Sequence, residues 1–287
     1  MRIFTNLLFK VTLSSMIITA PAMITKGIKN ADDRVSAEDG TAKPYSTSVV
    51  IKRFFNYNNL TPKAVYTVEK GMSGMLKTAA LSAEVKMVVN EADILYNDMD
   101  LEDSGLDERA FEYAWRGYYN LLKRGLIRKK NVLSICDFSQ SACSRRMYVI
   151  DLRHKKLLYR TFVAHGQNSG TEYADSFSNE PESFKSSLGF YVTQRTYYGH
   201  NGLSLRISGV DTGYNDKASQ RNIVLHGSYY VDPQYMENNG TIGTSLGCPA
   251  IPTTMGPRII RAVKNGSCIF IYHPTPKYLQ ESTVING

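Results

Sequence analysis

Residues 241–252 read Thr-Ile-Gly-Thr-Ser-Leu-Gly-Cys-Pro-Ala-Ile-Pro and set one thiol, Cys248, between Gly247 and Pro249. The glycine has no side chain, so a substrate carbonyl can approach the amides of Gly247 and Cys248, while the proline biases Cys248 toward an extended backbone. This is a setting for a nucleophile beside an oxyanion hole. A thiol near neutral pH is mostly protonated, however, and needs a neighbouring base or positive charge to raise its thiolate fraction. Histidine is the usual supplier, and the chain has five. His226 ends the apolar run Asn-Ile-Val-Leu-His and is followed at once by Gly227. His165, in Val-Ala-His-Gly, repeats that pattern and competes for the same role. His154 in Arg-His-Lys-Lys, His200 in Tyr-Tyr-Gly-His-Asn-Gly and His273 before Pro274 read as turn or surface residues. The residues alone leave a catalytic Cys/His pair and a structural thiol both open. No Cys or His pair has the short spacing of a structural zinc site, and nothing in the sequence demands a metal or an organic cofactor.

The elements that must position these groups occupy 287 residues, 43% hydrophobic and 21% charged, enough for one good core plus a smaller helical unit. Residues 1–22 place Arg2 and Lys10 ahead of a short apolar run ending in Ala20-Pro21-Ala22, the layout of a cleavable secretory signal. Ser14, Ser15, Thr19 and Pro21 interrupt the run, so stable membrane insertion is not expected. The net charge is +8; cleavage after Ala22 removes two basic residues and leaves 32 against 26 acidic, or +6. That modest basicity suits a polyanionic surface such as a cell wall, whereas export and the lack of a basic cluster interleaved with aromatics argue against nucleic acid. In an exported chain the four cysteines are weighed as disulfides. Cys136 and Cys143 flank the turn-rich stretch Asp-Phe-Ser-Gln-Ser-Ala and permit a local bridge; Cys268 lies in a β-type apolar run as a buried thiol; Cys248 is left over.

Residues 23–60 are largely polar and irregular and read as a flexible leader. Residues 61–130 take helical spacing, most clearly where Leu106, Ala110, Phe111, Ala114, Tyr118, Leu121 and Leu122 recur at three and four, with Asp107 as cap and Gly125 as stop. From 131 to 287 the texture is β: runs at 131–138, 146–152, 156–166, 188–199, 203–210, 222–231 and 267–273 are punctuated by glycines. Residues 253–266 suggest one helix, with Thr253 or Thr254 as cap, Pro257 in the first turn and Gly266 as stop. The fold class expected is α+β, mainly β, with a helical N-terminal segment.

The stretch Val-Leu-His-Gly-Ser-Tyr-Tyr-Val at 224–231, followed by Gly-Thr-Ser-Leu-Gly-Cys-Pro-Ala-Ile-Pro, resembles the signature of the murein L,D-transpeptidase catalytic-domain family, in the branch ending in Gly-Cys-Pro-Ala. Residues 137–170, 176–193 and 215–227 strengthen the match, and the resemblance runs from about Leu101 to Ile271. It implies that Cys248 is the nucleophile and His226 its base. A main-chain carbonyl around Gly227 or Ser228 would orient the imidazole, and the Gly247 and Cys248 amides would form the oxyanion hole. Ser245 would shape the loop, and the substrate site would draw on His165 and on Ser187, Gly189 and Tyr191 of the Ser-Ser-Leu-Gly-Phe-Tyr element. Two departures stand out: many relatives carry a second histidine where this chain has Leu246, and an arginine or asparagine where it has Ala250. The implied protein is an exported enzyme of the periplasm or cell envelope, acting on peptidoglycan stem peptides and forming 3-3 crosslinks through a thioester. An L,D-carboxypeptidase, a non-catalytic wall-binding module and a secreted cysteine protease of another fold are the alternatives.

Overall fold

The computed structural model of the protein describes residues 55–56, 61–62 and 74–287, with side chains from residue 82 onward. The expected signal at 1–22 and nearly all of the expected leader lie outside the described residues. The chain divides into Met1–Val49 and Val50–Gly287, and every described residue belongs to the second unit.

That unit opens with a two-residue antiparallel pair, β1 (Phe55–Asn56) and β2 (Thr61–Pro62), and continues into two helices, α1 (Gly74–Asp98) and α2 (Glu108–Lys123). Helix α2 starts where Asp107 accepts the Ala110 N–H at 3.0 Å and ends before Gly125, whose φ of 71° suits a residue without a Cβ. Its buried stripe includes Phe111, Trp115 and Tyr118, and Gly117 lies so close to the sheet that a Cβ there would sit 2.1 Å from the Phe190 ring. The helices therefore share one core with the sheet.

Eight strands form that sheet: β3 (Val132–Asp137), β4 (Met147–Asp151), β5 (Lys156–Thr161), β6 (Gly189–Gly199), β7 (Gly202–Gly209), β8 (Val224–Ser228), β9 (Ala250–Pro252) and β10 (Cys268–Tyr272). They lie in the order β5-β4-β3-β10-β6-β7-β8-β9. Only β3/β10 and β8/β9 pair in parallel. Five of the eight strands form antiparallel neighbours close in sequence, which is what short turn-rich connections favour. Phe190 and Phe270 stack across β6 and β10 at 4.1 Å between ring centroids. Beyond β8 come α3 (Pro233–Asn239) and α4 (Gly256–Val263), and the chain closes with α5 (Pro276–Glu281) and α6 (Thr283–Asn286).

Two expectations are corrected. Helix α4 begins after Met255, not after a threonine cap, because Thr253 is engaged elsewhere: its N–H donates to Asp232 at 2.7 Å and its hydroxyl to the other oxygen of the same carboxylate. Cys136 and Cys143 are not bridged. All four cysteines are free, with Cys136 buried in β3 and the Cys143 Sγ lying 3.6 Å from Thr241 Oγ1 and 3.8 Å from the Gly240 carbonyl.

Candidate active site

The parallel edge pair β8/β9 sets the geometry. His226 is in register with Ala250, so Cys248 enters β9 two residues ahead of the position beside the histidine. The thiol is partly buried; its Sγ accepts the Val224 N–H at 3.5 Å and lies 3.8 Å from the Asn222 carbonyl, toward which the S–H donates. Burial pushes the Cys248 thiol above its ordinary range, and the Val224 N–H and the Arg221 charge pull it back down.

His226 is 5% exposed. Its Nδ1 lies 2.9 Å from the Gly227 carbonyl, which can only accept, so Nδ1 carries the proton and Nε2 keeps its lone pair. Burial lowers the pKa of the ring, and the Gly227 bond partly restores it. At neutral pH the residue is a neutral base fixed in one tautomer. The carbonyl sought at Gly227 or Ser228 is that of Gly227, while Ser228 is buried at the strand end beside the 3-10 turn Tyr229–Val231.

The loop before the nucleophile is built on Ser245. Its N–H donates to the His165 carbonyl at 2.9 Å, and its carbonyl accepts from Gln167 at 2.7 Å. Its hydroxyl donates to the Cys248 carbonyl at 2.6 Å and accepts the Gly247 N–H at 3.0 Å. The Gly247 amide is therefore already engaged within the loop. Gly247 has φ 115°, and a Cβ on it would lie 2.7 Å from the Lys185 carbonyl oxygen, so the bare backbone is a steric requirement at this point. Leu246 is 62% exposed, whereas Ala250 is buried in β9.

The remaining expected residues are tied into the surrounding fold. Ser187 donates to the Ser178 carbonyl at 2.7 Å, and the buried Tyr191 hydroxyl donates to the Ser187 carbonyl at 3.0 Å. Gly189, with φ 114°, packs against Asp211, which a Cβ would meet at 2.6 Å. His165 is 1% exposed: Arg146 Nη2 donates to its Nδ1 at 2.7 Å and its Nε2 faces the Gly170 carbonyl at 3.2 Å. Both ring nitrogens are used inside the protein, which leaves neither for a ligand.

Arg221 was not anticipated, because in Asn-Asp-Lys-Ala-Ser-Gln-Arg it reads as one more solvated charge. Its Nη1 donates to the Ser178 carbonyl at 2.8 Å and to Ser187 Oγ, and its Nη2 to the Lys185 carbonyl at 2.7 Å and to Ser183 Oγ at 3.2 Å. Tyr230 is a second addition, being close enough to Cys248 for the thiol's charge to help raise its pKa. Among the described residues no three His, Cys, Asp or Glu side chains gather as metal ligands.

A tethered neutral imidazole on β8 and a thiol two residues ahead of its partner position on β9 are the kinds of group that acyl transfer through sulfur requires. The chain belongs to the L,D-transpeptidase catalytic domain family, whose profile matches residues 102–272. Helix α2 lies inside that match. Solved structures that it resembles include an L,D-transpeptidase from Mycobacterium smegmatis, at 12% identity and TM-score 0.31 over 50% of this chain and 59% of that one. L,D-transpeptidase 3 from Mycobacterium tuberculosis stands at 11% identity and TM-score 0.30 over 50% and 61% of the two chains. An L,D-transpeptidase from Xylanimonas cellulosilytica stands at 12% and 0.29 over 53% and 67%. The chain thus spans about three-fifths of the length of the first of these. A search among curated proteins found no match.

Proposed function

We propose that this chain is an exported peptidoglycan L,D-transpeptidase in which Cys248 is the nucleophile and His226 its base. The observation that carries the reading is the β8/β9 register, which sets a histidine with a free Nε2 beside the strand entered by the thiol. Nε2 takes the thiol proton. The sulfur then attacks the carbonyl that follows the L-centre of the third stem residue, and the oxyanion forms against the Cys248 N–H. Collapse breaks the C–N bond, the imidazolium returns its proton to the departing D-residue amine, and a thioester remains. The amine of a neighbouring stem attacks that thioester and gives up a proton, the C–S bond breaks, and the released sulfur is reprotonated, leaving a 3-3 crosslink. Water in its place would give a trimmed tripeptide. In this structure Sγ contacts Val224 and Asn222, so the proton transfer requires the thiol to turn from those groups toward Nε2.

Export rests on the layout of residues 1–22. No helix among the described residues is long and apolar enough to cross a membrane. The experiment is incubation with purified tetrapeptide-stem fragments, followed by mass analysis of the products. A crosslinked dimer is expected. A lone tripeptide would make the protein a carboxypeptidase, and a bound but untouched stem would make it a wall-binding module.

A further inference from the structure

Arg221 is surrounded in a way that a solvated surface arginine is not. Its four hydrogen-bond acceptors, two carbonyls and two serine hydroxyls, are all neutral. Its Nε is buried with no hydrogen-bond partner among the described residues, and none of their carboxylates bonds the guanidinium. Glu180, the nearest acidic influence on it, is itself paired with Lys217 at 2.7 Å. A half-buried cation without a counter-ion is costly unless its charge is used.

Its position indicates the use. A Cβ on Gly247 would lie 3.2 Å from Arg221 Nη2, so the guanidinium abuts the peptide that leads into Cys248. The next residue, Asn222, holds φ 54° and offers the carbonyl near Sγ, and Val224 supplies the N–H that Sγ accepts. All four acceptors belong to the loop 178–187, in which Glu182 and Phe184 hold φ 57° and 53°, a region that costs a bulky side chain of order 1–3 kcal/mol. Bonds from one rigid fork offset that strain and press the loop against Gly247. Lysine could supply the charge but not the fork.

We propose that Arg221 is the positioning residue of this site, pinning the 178–187 loop against Gly247 and supplying the fixed positive charge beside which the Cys248 thiolate forms. The inference rests on the reading of Cys248 as nucleophile. The mutual influence of the two groups agrees with it, Arg221 lowering the thiol pKa and the thiol raising that of Arg221. The other titratable groups near Cys248 are Tyr230, which feels the thiol's charge, and His226 on the neighbouring strand; Tyr191 raises the pKa of Arg221 and has no resolved influence on the thiol.

The test is the pH profile of Cys248 alkylation by iodoacetamide in a Cys143→Ser background, since Cys143 is the other thiol not fully buried. This needs no turnover, so its result is separable from the proposed reaction. Arg221→Gln should move the Cys248 profile up by about one pH unit, a roughly tenfold slower reaction at pH 7, and Arg221→Lys should recover most of it. Ser183→Ala with Ser187→Ala, which removes loop bonds but no charge, should leave the profile within about threefold of the parent and supports the charge role if Arg221→Gln proves unfolded. His226→Ala and Tyr230→Phe, run alongside, separate their titrations from that of the thiol. A superimposable Arg221→Gln profile, an equal shift in Arg221→Lys, or a full shift in the double serine variant overturns the proposal.

Discussion

The chain carries one short pattern twice, Val163-Ala164-His165-Gly166 and Val224-Leu225-His226-Gly227, and the two copies end in opposite chemistry. Both histidines are buried, both precede a glycine, and burial lowers the pKa of both. The difference lies in what meets Nδ1. At His226 it is the carbonyl of the next residue, which accepts a proton and so frees Nε2. At His165 it is the guanidinium of Arg146, which can only donate, so Nδ1 must accept and Nε2 must hold the proton toward Gly170. Arg146 is itself fully buried, donating also to the Val163 and Gln140 carbonyls and lying 4.7 Å over the Phe138 ring. One copy thereby keeps a lone pair on Nε2, and the other spends both ring nitrogens inside the protein.

The contrast is open to experiment. His226→Gln should lower thioester formation by about 10²–10⁴-fold, the usual range for loss of a general base, while the thermal midpoint stays near that of the parent. The parent's rate should fall on acidification, with its midpoint below the ordinary histidine range because burial holds the pKa of the ring down. A larger loss of activity from His165→Gln than from His226→Gln would reverse the assignment.

His165→Gln should instead register in stability. Burial, and then the Arg146 charge, push the His165 pKa from 6.5 down to about 4. A depressed base favours folding while neutral, so its contribution is fully present above about pH 6.5 and is lost as pH falls toward 4, a swing of up to roughly 3 kcal/mol. Urea unfolding at pH 7 and pH 4.5 should show acid sensitivity shrinking in the variant. Equal sensitivity would remove His165 as its source.

Gly247→Ala should have modest effects on both the fold and the thiol. The added Cβ meets the Lys185 carbonyl at 2.7 Å in a left-handed backbone, so a loss of about 1–3 kcal/mol is expected, with slower Cys248 alkylation as the loop shifts. An unchanged alkylation rate would mean that the bare backbone at Gly247 does not place the thiol.

These contrasts also mark where sequence reading succeeds and where it stops. The α2 boundaries were legible because Asp107 and Gly125 act through backbone groups within a few residues. The strands from β3 to β8 were legible because each is an apolar run between turns. Strand β9 was not, since three residues, Ala-Ile-Pro, carry no periodicity. The two His-Gly copies could not be ranked from residues alone, because Arg146 and Gly170 reach His165 from 19 and 5 residues away. Arg221 was hidden for the same reason: its partners at 178–187 lie 34 to 43 residues upstream. A Cys136–Cys143 bridge was suggested by spacing alone, but Cys136 is held inside the sheet while Cys143 lies against Gly240 and Thr241.

The central claim is that acyl transfer passes through sulfur at Cys248, and intact-mass analysis after mixing with a tetrapeptide-stem donor tests it most directly. In the parent, quenched in acid, the account predicts an adduct equal to the donor less its terminal D-residue. That adduct should map by peptide digestion to the segment containing Cys248, be released by hydroxylamine, and be missing from Cys248→Ala. An adduct on any other residue, or undiminished turnover in Cys248→Ala, would contradict it.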